Sequence, residues 1–318
     1  MQPALKIVFY GTPEFALESL KALVEGGYHV AAVVTAPDKP AGRGMKLRVS
    51  PVGQYAVDHG IRILKPERLQ DPEFLDHLKK LDPDIQVVVA FRMLPGIVWG
   101  LPGLGTFNLH ASLLPQYRGA APINWVVING ETETGLTTFF LQDKIDTGDI
   151  IFRESMSIGP EETAGELHDR MKVKGAQLVI RTMQSILTGN VVTCDQSRFT
   201  DPGSPLKPAP KIFTETCSID WNQPSAAIYN LIRGLSPVPA AFTDMKWKDG
   251  SVTPVKIFRA GLENTGPSAS PGILTSDGRT FLKISSADGD LYIYELQIAG
   301  RKPVRIEEFL RGFGRSII

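Results

Sequence analysis

The first 35 residues alternate two apolar runs with one amphipathic segment, and this pattern constrains the fold most strongly. Leu5–Tyr10 is a short apolar run that ends at a glycine, as a buried strand often does. The amphipathic segment from about Pro13 to Glu25 has proline near its start and a glycine pair after its end, which is typical of a helix. Val30–Thr35 is a second, β-branched run. The pattern predicts a strand–helix–strand unit and therefore a parallel sheet with a right-handed crossover.

The same alternation of helix-like and strand-like segments continues for about 190 residues. Amphipathic segments predict helices at Val52–His59, Pro72–Leu81, Pro122–Asn129 and Thr163–Leu187, and apolar runs predict strands at Ile85–Ala90, Gly103–Leu109 and Leu136–Leu141. We therefore expect residues 1–190 to form one α/β domain.

A proline-rich stretch ends this pattern. Four of the eleven residues from Thr200 to Pro210 are proline, so we predict a semi-rigid linker over residues 191–210. Residues 211–318 contain a predicted helix, short predicted strands and a terminal helix, at Ser225–Leu235, Val255–Arg259, Gly272–Leu274, Phe281–Ile284, Leu291–Leu296 and Arg305–Phe313. Short strands separated by Gly and Asp turns are typical of a small β-barrel or sandwich.

Charge and cysteine content exclude several classes of protein. Lys plus Arg and Asp plus Glu each number 34, so any contact with a polyanion must come from a local patch. The two cysteines, Cys194 and Cys217, fit neither a disulfide framework nor a metal site. The N-terminal MQPALKIVFYG lacks the features of a signal peptide, and no window has the length of a membrane-spanning helix. We expect a cytoplasmic, monomeric protein without a membrane span.

Asn108 and His110 stand near the end of a predicted strand, where alternate side chains project to the same face. An amide donor beside a group that titrates near neutrality can stabilise an oxyanion and transfer a proton. In an open parallel sheet such a strand end faces the ligand crevice, and the next loop that can reach it contains Asp146. A carboxylate there can orient the imidazole. Because no Ser or Cys nucleophile accompanies this set, it favours direct transfer between bound substrates.

Two simpler interpretations stay open at this point. The Asn108–His110 pair can be an ordinary strand end with a packed histidine. Asp143, Asp146 and Asp149 can be turn residues around a glycine, which is a common role of aspartate. A metal is not expected, because one nearby histidine and scattered acidic residues do not form a ligand array.

The sequence around these residues resembles the folate-dependent formyltransferase family. The similarity is carried by NLHASLLPQYRGAAPIN and GLTTFFLQDKIDTGDII, and it extends to YGTPEFA, TAPDKPAGRGMKLRVSPV and the C-terminal region. The resemblance implies a Rossmann-like N-terminal formyltransferase domain with a mostly parallel sheet and a C-terminal OB-like β-barrel. It implies that the co-substrate 10-formyltetrahydrofolate donates a formyl group to the α-amino group of methionine on initiator tRNA. The family's catalytic Asn, His and Asp correspond to Asn108, His110 and Asp146.

The resemblance also implies two segments that contact the folate donor. The family's SLLP motif falls on Ser112, Leu113, Leu114 and Pro115. A second loop falls on Phe91, Arg92, Met93 and Leu94. This FRMLP loop is one residue shorter than is usual in tRNA-acting members and is closer to that of glycinamide ribonucleotide formyltransferases; Arg92 can alternatively be a solvated loop residue. Since YGTPEF lacks the G-x-G-x-x-G pattern, NAD binding is not expected.

A basic segment at residues 38–48, DKPAGRGMKLR, indicates a contact with nucleic acid. Lys39, Arg43, Lys46 and Arg48 outnumber Asp38, and such a segment can become ordered on a phosphate backbone. In the resembling family this insertion enters the acceptor stem, and its key arginine corresponds to Arg43. An exposed charged loop without a partner is the alternative. A second basic cluster near the C terminus leaves the same two interpretations open and consists of Arg301, Lys302, Arg305, Arg311 and Arg315.

Three functions therefore compete. The first is formyl transfer to an aminoacyl-tRNA. The second is formyl transfer to an amino sugar nucleotide, which would use the same Asn, His and Asp but does not need a basic insertion. The third is a non-catalytic RNA-binding protein, which does not explain why all three polar residues are retained.

Overall fold

The computed structural model describes residues 5–41, 46–200, 203, 205–263 and 266–317. The chain forms two compact units. The first comprises Met1–Gly119, Thr134–Met156 and His168–Pro208, and the second comprises Ala120–Glu133, Ser157–Leu167 and Ala209–Ile318. This division differs from sequence boundaries at 190 and 210, because two segments before residue 190 belong to the second unit.

The helices and strands of the first half of the chain alternate as the sequence pattern indicates. In chain order they are β1 (Ile7–Tyr10), α1 (Glu14–Glu25), β2 (Val30–Val34), β3 (Lys39–Ala41), β4 (Lys46–Arg48), α2 (Pro51–Asp58), β5 (Ile63–Leu64), α3 (Pro72–Leu81), β6 (Ile85–Val89), α4 (Gly96–Trp99), β7 (Thr106–His110), α5 (Pro122–Ile128), β8 (Glu133–Phe140), β9 (Ile150–Ser157) and α6 (Ala164–Leu187). The C-terminal elements are α7 (Ser225–Leu235), β10 (Ala241–Lys246), β11 (Val252–Glu263), β12 (Leu274–Ser276), β13 (Leu282–Ser285), β14 (Asp290–Ile298), β15 (Val304–Arg305) and α8 (Ile306–Ile317).

The sheet of the first unit has the order β5-β2-β1-β6-β7-β8-β9. Strands β5, β2, β1, β6 and β7 run parallel, and β8 is antiparallel to β7. All residues of β1 and β6 are buried, which explains why β1 is wholly apolar and why β6 is apolar except at Gln86. The prediction of a mostly parallel α/β sheet is therefore confirmed.

Helix ends follow the expected capping chemistry. The Ser50 hydroxyl accepts a hydrogen bond from the Gly53 amide at the start of α2, with proline in the first turn. Asp71 caps α3 in the same way through the Glu73 amide. On α6, Gly175 allows close packing on β7, since a Cβ atom there would lie 2.8 Å from the Leu109 side chain. These contacts hold in place the helices and strands around the end of β7.

The sheet of the second unit is antiparallel, with the order β10-β11-β14-β13-β12 and β15 beside β14. Its core contains the apolar residues of α7 and α8, including Ile228, Ile232 and Phe309. Trp221 and Trp247 pack against this core, as expected for structural aromatic residues. Among the residues that the structure describes, no helix combines the length and apolar character required to cross a membrane.

Candidate active site

The end of β7 brings Asn108 and His110 to the carboxyl edge of the parallel sheet. Asn108 is paired in register with Val88 of β6, and its side chain is half-buried. Within the described part of the chain, the Asn108 carboxamide has no hydrogen-bond partner. Its amide hydrogens are therefore available to a bound oxygen atom.

His110 is 6% exposed and has a different environment at each ring nitrogen. Nε2 lies 2.9 Å from the carbonyl oxygen of Tyr117. Because a carbonyl can only accept, this contact assigns a proton to Nε2. Nδ1 faces the Asp146 carboxylate, with 3.9 Å between Nδ1 and Oδ2. This separation is too long for a hydrogen bond, so the contact is electrostatic and would strengthen if Nδ1 received a proton.

Asp146 lies in the loop between β8 and β9, and its backbone has a positive φ of 53°. Its Oδ2 atom accepts a hydrogen bond of 3.1 Å from the Gly119 amide. Gly148, two residues later, lies against β8, and a Cβ atom there would stand 1.6 Å from the Phe140 carbonyl oxygen. The turn thus folds back and directs Asp146 towards His110 instead of serving only as an aspartate turn.

Gln196, which lies outside the sheet, also holds this turn in place. Gln196 is 4% exposed, and its Nε2 atom donates to the carbonyl oxygens of Asp146 and Gly148 at 2.9 Å and 2.8 Å. Its Oε1 atom accepts a hydrogen bond of 2.7 Å from Arg118. Gln196 lies in the segment that the sequence predicts to be a linker, and no sequence signal distinguishes it from the surrounding polar residues.

The predicted folate segment Ser112–Pro115 follows β7 directly and is held by internal bonds. The Ser112 hydroxyl donates to the Gln116 carbonyl at 2.6 Å, and the Thr137 hydroxyl donates to the Ser112 carbonyl at 2.7 Å. Leu114 is fully buried against Phe139. The Ser112 and Leu114 side chains therefore shape this loop from within, which limits them to an indirect part in any ligand contact.

The second predicted folate loop follows β6, the neighbour of β7 in the sheet. Phe91 packs edge-on against Tyr10, with 5.6 Å between ring centroids, and Leu94 is 6% exposed. Met93 is 67% exposed at the tip of the loop. Burial raises the pKa of the Tyr10 phenol far above its usual range. Tyr10 is therefore neutral, and its ring supports the loop by packing against Phe91.

Arg92 has a structural role that neither sequence interpretation anticipates. Its side chain donates to the carbonyl oxygen of Glu67 at 2.7 Å and to that of Pro66. Arg92 is exposed but bonded, so it is not a merely solvated residue. It ties the β6–α4 loop to the chain that follows β5.

The described parts of the predicted basic contact segment are two short paired strands, β3 and β4, which we call the hairpin. Lys39 pairs with Arg48 and Ala41 with Lys46 in an antiparallel ladder between β3 and β4. Arg43 lies outside the described residues, and only the backbones of Lys39 and Lys46 are described. Arg48 is exposed. The hairpin therefore gives the basic segment a defined base.

Among the described residues, no group of three His, Cys, Asp or Glu side chains is placed to hold a metal ion. The polar groups at the edge of the sheet can instead donate hydrogen bonds and accept a proton, through Asn108 and His110.

Two family models match most of the chain. Residues 5–183 match the formyl transferase model, and residues 211–314 match the formyl transferase C-terminal domain model. Solved structures with low sequence identity share the fold. A sugar 3N-formyl transferase, WlaRD, superimposes with a TM-score of 0.65 at 21% identity, covering 94% of this chain and 99% of that one. HypX from Aquifex aeolicus gives a TM-score of 0.61 at 16% identity, covering 98% of this chain and 47% of that one.

Curated relatives are similar to this chain along nearly its whole length. The methionyl-tRNA formyltransferase of Bacteroides fragilis is 52% identical over 309 residues, covering 97% of this chain and 95% of that protein. The methionyl-tRNA formyltransferase of Flavobacterium johnsoniae is 48% identical over 308 residues, covering 97% and 96%. With both domain models matched and these identities spanning the chain, the chain belongs to the methionyl-tRNA formyltransferase family.

Proposed function

We propose that this chain transfers the formyl group of 10-formyltetrahydrofolate to the α-amino group of methionine on initiator tRNA, for translation initiation. The relatives whose sequences are about 50% identical to this chain support this function. The reaction belongs in the cytoplasm, with the protein acting as a monomer. The observation that carries the proposal is the unpaired Asn108 carboxamide beside the His110–Asp146 pair at one sheet edge.

Each of the three polar residues has a distinct role in the proposed reaction. Attack of an amine on the formyl carbon places negative charge on the formyl oxygen and releases a proton. Collapse of this tetrahedral intermediate then breaks the bond between the formyl carbon and the folate nitrogen, and the nitrogen leaves with a proton as tetrahydrofolate. The Asn108 carboxamide donates to that oxygen, a type of contact that typically contributes about 3 kcal/mol. His110 Nδ1 accepts a proton, directly or through a water molecule, and Asp146 stabilises the resulting imidazolium.

The folate donor is held between the loops that follow β6 and β7. These strands are neighbours in the sheet, so their carboxyl ends face the same crevice. Phe91 and the exposed Met93 supply apolar surface for an aromatic ring system on one side. Arg92, Leu94 and Ser112–Pro115 hold the loops in shape. The buried contacts of Leu94 and Leu114 support such a rigid frame.

The tRNA contacts come from the β3–β4 hairpin and from the second unit. Lys39, Arg43, Lys46 and Arg48 cluster in one short hairpin segment that can meet several phosphates. We assign the antiparallel C-terminal sheet to an OB-like barrel that adds a nucleic-acid surface. Residues 1–190 and 211–318 are the proposed catalytic and tRNA-binding domains, joined by residues 191–210.

A transfer assay tests this function directly. The protein is incubated with 10-formyltetrahydrofolate and either methionyl initiator tRNA or an amino sugar nucleotide. Formyl-methionyl-tRNA is the expected product, and the Asn108→Ala variant should form it far more slowly than the control Asn190→Ala, an exposed position three residues after the end of α6. Formylation of the sugar nucleotide alone, or of neither acceptor, would contradict the proposal.

A further inference from the structure

We propose that Gln196 is a positioning residue for Asp146, so that a side chain beyond the strand–helix pattern sets the catalytic geometry. The inference rests on the proposed function, in which Asp146 stabilises His110. It assigns a role in the reaction to part of the segment between the two matched family regions, residues 184–210.

The Gln196 carboxamide has all of its main hydrogen-bonding groups engaged. Its two Nε2 hydrogens go to the carbonyl oxygens of Asp146, at 2.9 Å, and Gly148, at 2.8 Å. Its Oε1 atom accepts from Arg118 at 2.7 Å. A buried side chain with this complete set of partners holds one rotamer, because any other would leave buried polar groups unpaired.

The turn that Gln196 holds needs an external restraint. Asp146 has φ of 53°, a conformation that costs a residue other than glycine on the order of 1 kcal/mol. The two bonds from Gln196 hold the backbone at and after this residue, one at its own carbonyl and one at that of Gly148. Without them, the backbone of Asp146 can relax and carry its carboxylate away from His110.

The same carboxamide also connects to the loop on the other side of His110. Arg118, its donor partner, stands between Tyr117 and Gly119 in sequence. The Tyr117 carbonyl bonds His110 Nε2, and the Gly119 amide bonds Asp146 Oδ2. Gln196 therefore links the two segments that set the 3.9 Å separation between Nδ1 and Oδ2.

The backbone around Gln196 is itself anchored. Cys194 and Ile150 exchange two backbone hydrogen bonds, of 2.8 Å and 2.9 Å, at the start of β9. Asp195 then caps the short turn Gln196–Phe199 by accepting from the Ser197 amide at 2.7 Å. The backbone that carries Gln196 is thus anchored to the sheet, as is required of a positioning residue.

The test uses two substitutions of Gln196 in the full chain. Gln196→Met removes every hydrogen bond at similar size, and Gln196→Glu keeps an acceptor for Arg118 but removes both donors. We expect both to lower kcat about 10- to 100-fold, as loss of catalytic alignment does, with KM for tRNA and folate changed less than about twofold. The matched controls are Gln177→Met and Gln177→Glu on the exposed face of α6.

A second measurement does not depend on turnover. Because the Gly119 amide bonds Asp146, its hydrogen exchange should be at least tenfold faster in both Gln196 variants, while exchange in β6 stays unchanged. A kcat within about twofold of wild type in both variants, or unchanged Gly119 exchange, would overturn the inference. Wild-type protein that formylates no tRNA would refute the proposed function instead, and Gly119 exchange would still report whether Gln196 holds Asp146.

Discussion

His110 has one ring nitrogen that is engaged and one that can accept a proton. Nε2 donates to the Tyr117 carbonyl, so this nitrogen does not donate to a substrate oxygen in this arrangement. The Asn108 carboxamide, which has no hydrogen-bond partner among the described residues, is the better donor. Nδ1 faces Asp146, and this arrangement favours proton acceptance at that atom. In the proposed reaction, Asn108 would thus bind the oxygen and His110 would remove the proton.

Replacement of His110 separates this chemistry from substrate binding. His110→Ala removes the proton acceptor but leaves the hairpin and both folate loops intact, so we expect kcat to fall about 100-fold or more. The tRNA dissociation constant should change less than about threefold, as measured by filter binding. His29→Ala, at an exposed position, is the control. Equal losses in rate and affinity would show that His110 acts in binding.

At the scale of elements, the turn between β8 and β9 depends on close approach of its backbone to β8. Gly148→Ala would place a Cβ atom 1.6 Å from the Phe140 carbonyl oxygen, so the turn must shift and carry Asp146 with it. We expect kcat to fall at least tenfold, because a displacement of about 1 Å in a catalytic group has effects of this size. Gly103→Ala is the control, since a Cβ atom there meets no other atom within 4 Å. Unchanged kcat in Gly148→Ala would show that the turn adapts.

The elements show why some features could be predicted and others could not. Helices such as Pro72–Leu81 and Ser225–Leu235 were predictable to the residue, since proline starts and apolar spacing mark them locally. The strand β9 was not predicted, because ESMS within it alternates without a long apolar run. Asn108 and His110 were identifiable by their spacing in a strand. Gln196 was not, because its role comes from contacts across about fifty residues of chain.

A buried ion pair between β13 and β14 contributes to the pH dependence of the stability of the second unit. Burial of Asp290 raises its pKa, but Lys283, 2.8 Å away, and bonds from Ser268 and Ser285 lower it more, so the pKa lies well below its usual range. The ion pair with Asp290 and the hydrogen bond to Glu263 raise the pKa of Lys283. The pair therefore stabilises the fold between about pH 4 and pH 10, the unfolded-state pKa values of the two groups.

Asp290→Asn tests this interaction. It leaves Lys283 with one carboxylate fewer, and we expect the free energy of unfolding to fall by about 2 to 4 kcal/mol at pH 7. The deficit should shrink as pH falls below about 4, because the unfolded wild-type chain then binds a proton at Asp290 that the folded chain does not bind. Urea unfolding at several pH values measures it, with the exposed Asp244→Asn as control. A deficit that does not change with pH would mean that packing, and not charge, is lost.

At the scale of the whole molecule, attraction to tRNA must be local. The chain has 34 basic and 34 acidic residues, so no net field draws in a polyanion. Phosphate contacts then depend on clusters in which cations are not matched by nearby carboxylates. At the base of the hairpin, Asp38 pairs with Lys65 at 2.7 Å. Because its charge is matched by Lys65, Asp38 neutralises the basic residues of the hairpin segment less. The protein can therefore bind tRNA at defined points while remaining neutral elsewhere.

This distribution predicts a salt dependence that is concentrated in one segment. Each phosphate contact that is lost should reduce the slope of log K against log salt concentration by about 1. Arg43→Ala should thus weaken tRNA binding and activity while leaving folate affinity unchanged, and the triple replacement of Arg43, Lys46 and Arg48 by Ala should reduce the slope by about 3. Lys79→Ala, exposed on α3, should leave the slope as in wild type. If the triple variant keeps the wild-type slope, the hairpin makes no phosphate contacts, and the C-terminal unit must supply the attraction.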